Sequence, residues 1–216
     1  MTLIKRVPAP TIERLALYLL CLKPLLHKAV ETVSSDDIAR LVGRNAAQVR
    51  KDLSYLGQFG TPGVGYNVAQ LRERLAFAMG LKTERKLIVL GAGSLGSALC
   101  RYRGFLEEGF NICAAFDNDP AKVGRRIGRV TVQHISELMD ANRQLKAHMA
   151  LIAVPASAAQ DVADLLAKAG ISSMVIFAPG PIEVPPNVLV RRVDLTKELA
   201  VLSCLISLSE EVADVP

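Results

Sequence analysis

With 216 residues, half of them apolar and 22% charged, the chain is long enough for two small domains and too apolar to be disordered or of low complexity. No apolar run reaches the roughly 20 residues of a membrane helix, and the first ten residues, MTLIKRVPAP, lack the apolar core of a signal peptide, so a cytoplasmic protein with no membrane attachment is expected. The net charge of +5 is confined to residues 1–80, which carry 11 Lys/Arg against 6 Asp/Glu, while residues 81–216 carry 15 of each; an anionic partner is expected for one domain only.

In chain order, PTIERLALYLLCLKPLLHKA places Pro10 and Thr11 at a helix start and sets Ile12, Leu15, Leu19 and Leu22 on one face. A capping-box pattern from Ser34 to Asp37 opens a second helix, which Gly43 ends. A third helix spans about Ala46 to Leu56, and a fourth, VAQLRERLAFAMG, ends at Gly80. Between the last two, GQFGTPGVGY combines four glycines and a proline with the strand formers Phe59 and Tyr66, and reads as a β-hairpin.

Residues 35–56 have the spacing of a helix-turn-helix. Small Ala39 precedes the turn residue Gly43, and Ile38, Leu41, Val42, Val49, Leu53 and Leu56 are placed to pack the two helices together. Gln48, Arg50, Lys51, Ser54 and Tyr55 are then left outward on the second helix. Arginine forks onto guanine, glutamine pairs with adenine, and lysine, serine and tyrosine reach phosphates. With the hairpin as a wing, residues 1–80 read as a winged helix-turn-helix for double-stranded DNA; the alternative is a solvated helix face in a structural domain.

After the charged link KTERK the pattern changes to strand–helix alternation, with strands at KLIVL, NICAAF, HMALIAV, SMVIF and VLVRRV. Alternation of this kind predicts a parallel sheet covered on both faces, over residues 85–194. Residues 195–216 read as an apolar helix of three or four turns with an acidic tail; such a terminal helix packs on another subunit, so an oligomer is expected. Cys21, Cys100, Cys113 and Cys204 form no CxxC pair and read as reduced core thiols.

The segment GAGSLG, from Gly91 through Ala92, Gly93, Ser94 and Leu95 to Gly96, follows the first strand of this second region and opens a helix over Ser94–Arg103. That context suits a dinucleotide. Gly91 allows the tight turn, Gly93 admits the pyrophosphate, Gly96 lets helix and strand pack closely, and the helix start supplies N–H donors. Asp117, 21 residues past Gly96, is placed to accept hydrogen bonds from ribose hydroxyls and to repel a 2′-phosphate, which favours NAD; Arg125 and Arg126 downstream leave NADP open, and a purely structural glycine turn is the other reading.

A dinucleotide fold raises the alternative of an NAD-dependent oxidoreductase with an accessory basic domain. Hydride transfer needs a proton donor or acceptor beside the nicotinamide. Of the three histidines, His148 begins a strand, His27 lies between helices of the basic region and His134 falls in a crossover. Only 39 residues follow Phe177, too few for a substrate domain, so ligand binding without catalysis is the better reading.

The run of QVRKDLSYLGQFG, GVGY, GAGSLG, FDNDPAKVG, FAP and the VD before the last helix closely resembles the bacterial redox-sensing transcriptional repressors called Rex, in order over nearly the whole chain. The resemblance implies a homodimer of winged-helix and Rossmann-like domains with C-terminal helices swapped between partners. It implies binding to a palindromic operator when NAD⁺ dominates and release on binding NADH. By this resemblance Arg50 and Lys51 read DNA, Gly91–Gly96 and Asp117 hold the dinucleotide, and Ala178, Pro179 and Asp194 lie near the nicotinamide. Tyr102 and Asp194 would couple the two functions. Three positions depart from the family pattern: Pro62 stands where many members have a basic residue, Ile176 stands at an asparagine position, and Leu20 replaces an arginine of the coupling link.

Overall fold

The computed structural model describes residues 7–213, so residues 214–216 of the expected C-terminal tail lie outside it. The chain divides between Thr83 and Glu84 into two compact units.

In the first unit, helix α1 (Ala9–His27) starts after Pro8 with Pro10 in its first turn, where a missing N–H costs nothing. Its Leu15, Tyr18, Leu19 and Leu22 are buried against α2 (Ser35–Val42), α3 (Ala46–Ser54) and α4 (Val68–Ala78). The capping box at the start of α2 is present in full, with the Ser34 hydroxyl accepting from the Asp37 N–H and the Asp37 carboxylate accepting from the Ser34 N–H; Gly43 ends the helix in the left-handed region. Of the residues expected to join α2 to α3, Ile38, Val49, Leu53 and Leu56 are buried, but Leu41 is 54% exposed. On a helix of 3.6 residues per turn, Ile38, Ala39 and Val42 define the inward stripe and Leu41 falls well to one side of it.

The expected hairpin takes a different form. Residues 61–65 make a tight turn closed by a single bridge, Thr61 to Gly65, and β2 (Tyr66–Asn67) pairs antiparallel with β1 (Thr32–Val33), the segment that leads into α2. A glycine-rich stretch holding Pro62 weakens its own ladder, and Gly65 fits so closely against β1 that a Cβ there would lie 2.4 Å from the Val33 carbonyl oxygen. The wing is anchored by Phe59, whose ring lies 5.4 Å from that of Tyr66 and under the Arg74 guanidinium.

In the second unit, the described strands are β3 (Arg85–Leu90), β4 (Phe110–Asp117), β5 (Arg126–Ile127), β6 (Val130–His134), β7 (Met149–Ile152), β8 (Ser173–Ile176) and β9 (Leu189–Arg192). They lie in the order β5-β6-β4-β3-β7-β8-β9, parallel except for β5. The helices are α5 (Ser94–Arg101), α6 (Gly104–Glu107), α7 (Leu138–Leu145), α8 (Ala156–Lys168) and α9 (Leu195–Ala213). Alternate residues of β3 enter opposite cores: Ile88 and Leu90 pack with Phe116, Ile152 and Leu166, while Leu87 and Val89 pack with Ala115, Val132 and Leu151. A strand apolar on both faces requires cover on both, which explains its unbroken hydrophobic run.

Two strands were not expected. β5 and β6 form a short antiparallel ribbon on the edge, and this corrects the placement of His134, which ends β6 in register with Asp117 rather than lying in a crossover. Cys204, expected in a core, is exposed on α9, whereas Cys21, Cys100 and Cys113 are half-buried. Helix α9 is longer than three or four turns at 19 residues. Its Leu195, Leu199, Leu202, Leu205 and Ile206 are each more than half exposed. Among the described residues no helix is long and apolar enough to cross a membrane.

Candidate nucleic-acid interface and dinucleotide site

Helix α3 is held from below by one buried carboxylate. Asp52 is fully buried and accepts from Arg14 through both Nε (2.6 Å) and Nη2 (2.7 Å). It also accepts from the Tyr18 hydroxyl (2.8 Å), the Gln48 amide (2.9 Å) and, more distantly, the Thr11 hydroxyl. Burial pushes the Asp52 carboxyl up, but the hydrogen bonds from Arg14, Tyr18 and Gln48 outweigh it and hold the group below its ordinary value. A buried charge persists only with such a set of partners. Its effect is to lock the rotation of α3 against α1.

Of the expected contact residues, this network engages Gln48. Arg50, Lys51 and Ser54 are exposed on α3. Gln48 is half-buried with its amide donating to Asp52, and Tyr55 is half-buried beside an apolar recess that Ile12, Leu15 and Met79 also line. The structure thus brings Arg50, Lys51 and Ser54 onto one accessible surface and turns Gln48 and Tyr55 toward their own unit. Arg50 lies near the wing across a groove of about 450 Å³, and its Nη1 donates to the Ser35 hydroxyl (2.7 Å). Sequence patterning did not single out Asp52, although a carboxylate one residue after two cations on a short amphipathic helix was the available signal.

In the second unit, β3 continues to β4 on one side, and the chain later returns to the other side of β3 as β7. Ligands of open parallel sheets bind at such a switch point, outside the carboxyl ends of the strands. The glycine loop lies there, and its three glycines have three different surroundings. Gly91 has φ +92°, and a Cβ on it would lie 2.6 Å from the Ala153 carbonyl oxygen that follows β7. A Cβ on Gly96 would lie 1.8 Å from the Gly91 carbonyl oxygen, so α5 touches the loop backbone directly. Around Gly93 a Cβ would meet nothing within 4 Å. No side chain caps α5, whose start carries exposed Ser94 and Leu95. Open space in front of an uncapped helix start is what a pyrophosphate requires, so these residues fit the dinucleotide.

Asp117 ends β4 beside this loop, but it is buried and already engaged. Its Oδ2 accepts from the Ala92 N–H (2.7 Å) and its Oδ1 from the Asp119 N–H (2.9 Å). The Lys122 ammonium lies 3.2 Å from Oδ2. Burial raises the carboxyl, and the Asp119 and Ala92 amides with Lys122 overcome this and leave it below its ordinary value; Lys122 is raised in turn, first by its hydrogen bond to Asp117. The carboxylate therefore ties the glycine loop to β4.

The remaining expected residues occupy the same carboxyl edge or leave it. Ala178 follows β8 and is buried, and Pro179 next to it is exposed. Asp194 follows β9 and caps α9, accepting from the Thr196 N–H (2.9 Å) and the Lys197 N–H (3.4 Å). Tyr102 ends α5 at the opposite edge of the sheet, among residues that start β4, with its ring edge-on to Phe105. Within one chain, then, Tyr102 and Asp194 stand apart. Arg125 and Arg126 lie exposed around the edge strand β5, and His134 uses Nδ1 to cap the turn at Ser136. His148 precedes β7 at its amino end, where its carbonyl accepts from Ser172 and Ser173. Among the described residues no cluster of side chains could hold a metal ion.

Comparison with known proteins gives both units a family. Residues 82–180 match the family model described as a CoA binding domain, and residues 6–54 match the one described as a putative DNA-binding protein N-terminus. The chain is 49% identical over 198 residues to the redox-sensing transcriptional repressor Rex of Carboxydothermus hydrogenoformans, covering 92% of this chain and 95% of the relative. It is 42% identical to the protein of the same name from Streptomyces coelicolor, over 91% of this chain and 76% of the relative. Two crystal structures of RSP superpose closely: the complex with NADH at a TM-score of 0.89 and 31% identity, covering 98% of this chain and all of RSP, and the complex with NAD⁺ and operator DNA at 0.87 and 33%, covering 96% and 95%. A third RSP structure is described as that of a Rex-family repressor. The chain belongs to the Rex family of redox-sensing transcriptional repressors.

Proposed function

We propose that the protein is a transcriptional repressor which binds operator DNA through its first unit and senses the NADH/NAD⁺ ratio through its second. The observation that carries this is the coexistence in one chain of an outward Arg50–Lys51–Ser54 surface on a locked helix and an uncapped α5 behind open Gly93. The relatives named Rex and the RSP complexes with NADH, and with NAD⁺ and operator DNA, support it. The relatives are named as repressors, which favours sensing over catalysis. His134 ends a strand three positions from β7 in the sheet, about 14 Å away at the usual strand spacing, which does not favour it as a proton carrier there.

In this reading Arg50 and Lys51 contact the duplex, with Ser54 beside them. Gly91–Gly96 cradle the pyrophosphate, Asp117 fixes that loop, and the Ala178–Pro179 segment borders the nicotinamide. Residues 1–80 act as the reading domain, 85–194 as the sensing domain and 195–216 as the dimerisation element. The exposed leucines of α9 support a homodimer in which this helix is covered by, and swapped onto, a second copy. A dimer also matches a palindromic operator, whose half-sites recur at about 34–36 Å. The protein is placed in the cytoplasm, where both ligands occur.

The coupling is a linkage. NADH releases DNA only if it binds the DNA-incompetent form more tightly than the competent one, and DNA must then weaken NADH binding by the same factor. A coupling of about 1–3 kcal/mol gives roughly 5–150-fold. The test is fluorescence anisotropy of a selected palindromic duplex with the purified protein, titrating NADH against excess NAD⁺. Release by NADH with NAD⁺ ineffective is the expected result; binding that ignores both cofactors would remove the sensing function.

A further inference from the structure

The Arg50 guanidinium is not a free cation. Its Nη1 donates to the Ser35 hydroxyl at 2.7 Å, and that hydroxyl lies 3.5 Å from the Asp36 carboxylate, which is itself 4.0 Å from Arg50. Ser35 is buried at the start of α2, whereas Asp36 and Arg50 keep 73% and 58% of their side chains exposed. The serine oxygen accepts from Arg50 and can donate its own proton to Asp36, so the carboxylate acts on the guanidinium both directly and through Ser35. Only one of five guanidinium donors is used in this way. Arg50 itself lines the groove between the start of α2 and the wing.

We propose that Asp36 is a positioning residue for base reading: with Ser35 it holds Arg50 by one nitrogen and leaves the rest of the fork aimed at a base edge. The proposal rests on the reading of α3 as the DNA-contacting helix. Guanine offers O6 and N7 side by side, a pattern that a pre-aimed planar fork meets with little further loss of side-chain freedom. A carboxylate next to the same fork also repels any phosphate that Arg50 could otherwise engage, which works against random sequence. Specificity is a difference of affinities, and Asp36 bears on both of its parts.

The test compares wild type, Asp36→Asn, Ser35→Ala, Arg50→Ala and the double variant Asp36→Asn/Arg50→Ala on an operator duplex and on a scrambled duplex at one salt concentration. Asp36→Asn is expected to weaken operator binding about two- to five-fold, the scale of an exposed ion pair, and to leave scrambled-duplex binding unchanged or tighter. Ser35→Ala should follow it on the operator. In the Arg50→Ala background Asp36→Asn should cost nothing further on the operator. If Asp36→Asn instead tightens both duplexes equally, or acts equally with and without Arg50, then Asp36 only repels DNA as a bulk charge and the proposal falls. Wild type that binds neither duplex would overturn the DNA reading itself, and this proposal with it.

Discussion

The two units handle their polar groups in opposite ways. In the first, the decisive charge is inward: Asp52 collects Arg14, Tyr18 and Gln48 and thereby fixes the helix that carries Arg50 and Lys51. In the second, the sheet is apolar on both faces and the decisive groups are left open, at Gly93 and the uncapped start of α5. A DNA reader must hold side chains in a set orientation before a rigid duplex arrives, whereas a small-ligand site must leave donors unsatisfied until the ligand supplies the acceptors. Asp117 stands between these cases, since it is a buried carboxylate like Asp52 but holds a loop open rather than a helix shut.

The largest expected effect breaks the first half of this contrast. Asp52→Ala leaves Arg14 without its partner and should destabilise the first unit by about 3–5 kcal/mol, measured by urea unfolding. A loss below about 1 kcal/mol would mean that apolar packing alone locks α3. In the second unit, Gly96→Ala inserts a methyl group 1.8 Å from the Gly91 carbonyl. It should cost about 1–3 kcal/mol of stability and sharply reduce NADH binding, read by quenching or calorimetry, while operator binding persists. Arg50→Ala, on the open face of α3, should cost about 1–3 kcal/mol on the operator and less on random DNA; equal losses would mark a phosphate contact. Asp117→Ala should weaken NADH while sparing DNA binding, because the carboxylate links the Ala92 N–H of the glycine loop to the Asp119 N–H and Lys122 after β4; unchanged NADH affinity would show that the loop holds itself.

The smallest effect concerns acid. Both Asp52 and Asp117 have folded-state pKa values depressed below their ordinary ones, so each contributes stability that is present above the unfolded value of about 3.9 and lost as pH falls through the folded value. Both units should therefore soften below about pH 4, and a unit whose transition stays flat down to pH 3 would show that its carboxylate is not part of the lock.

Much of this was written in local pattern. The capping box at Ser34, the terminating Gly43, the unbroken apolar run of β3 and the spacing of GAGSLG are short-range signals, because capping and left-handed turns are decided by neighbours in sequence and a strand covered on both faces shows as a continuous apolar run. Net positive charge confined to the first 80 residues pointed to the DNA face for the same additive reason. Other features needed the folded chain. That Tyr66–Asn67 pairs with Thr32–Val33 rather than across its own turn depends on a contact more than 30 residues distant. Gln48 and Tyr55 look fully outward by periodicity, yet both are half-buried, Gln48 with its amide donating to Asp52, and the bonds from the Ala92 and Asp119 N–H groups to Asp117 are equally invisible in the sequence. A sequence states which groups can donate and accept; only the tertiary structure decides which have already found a partner, because a buried polar group must be paired and its partners come from distant parts of the chain.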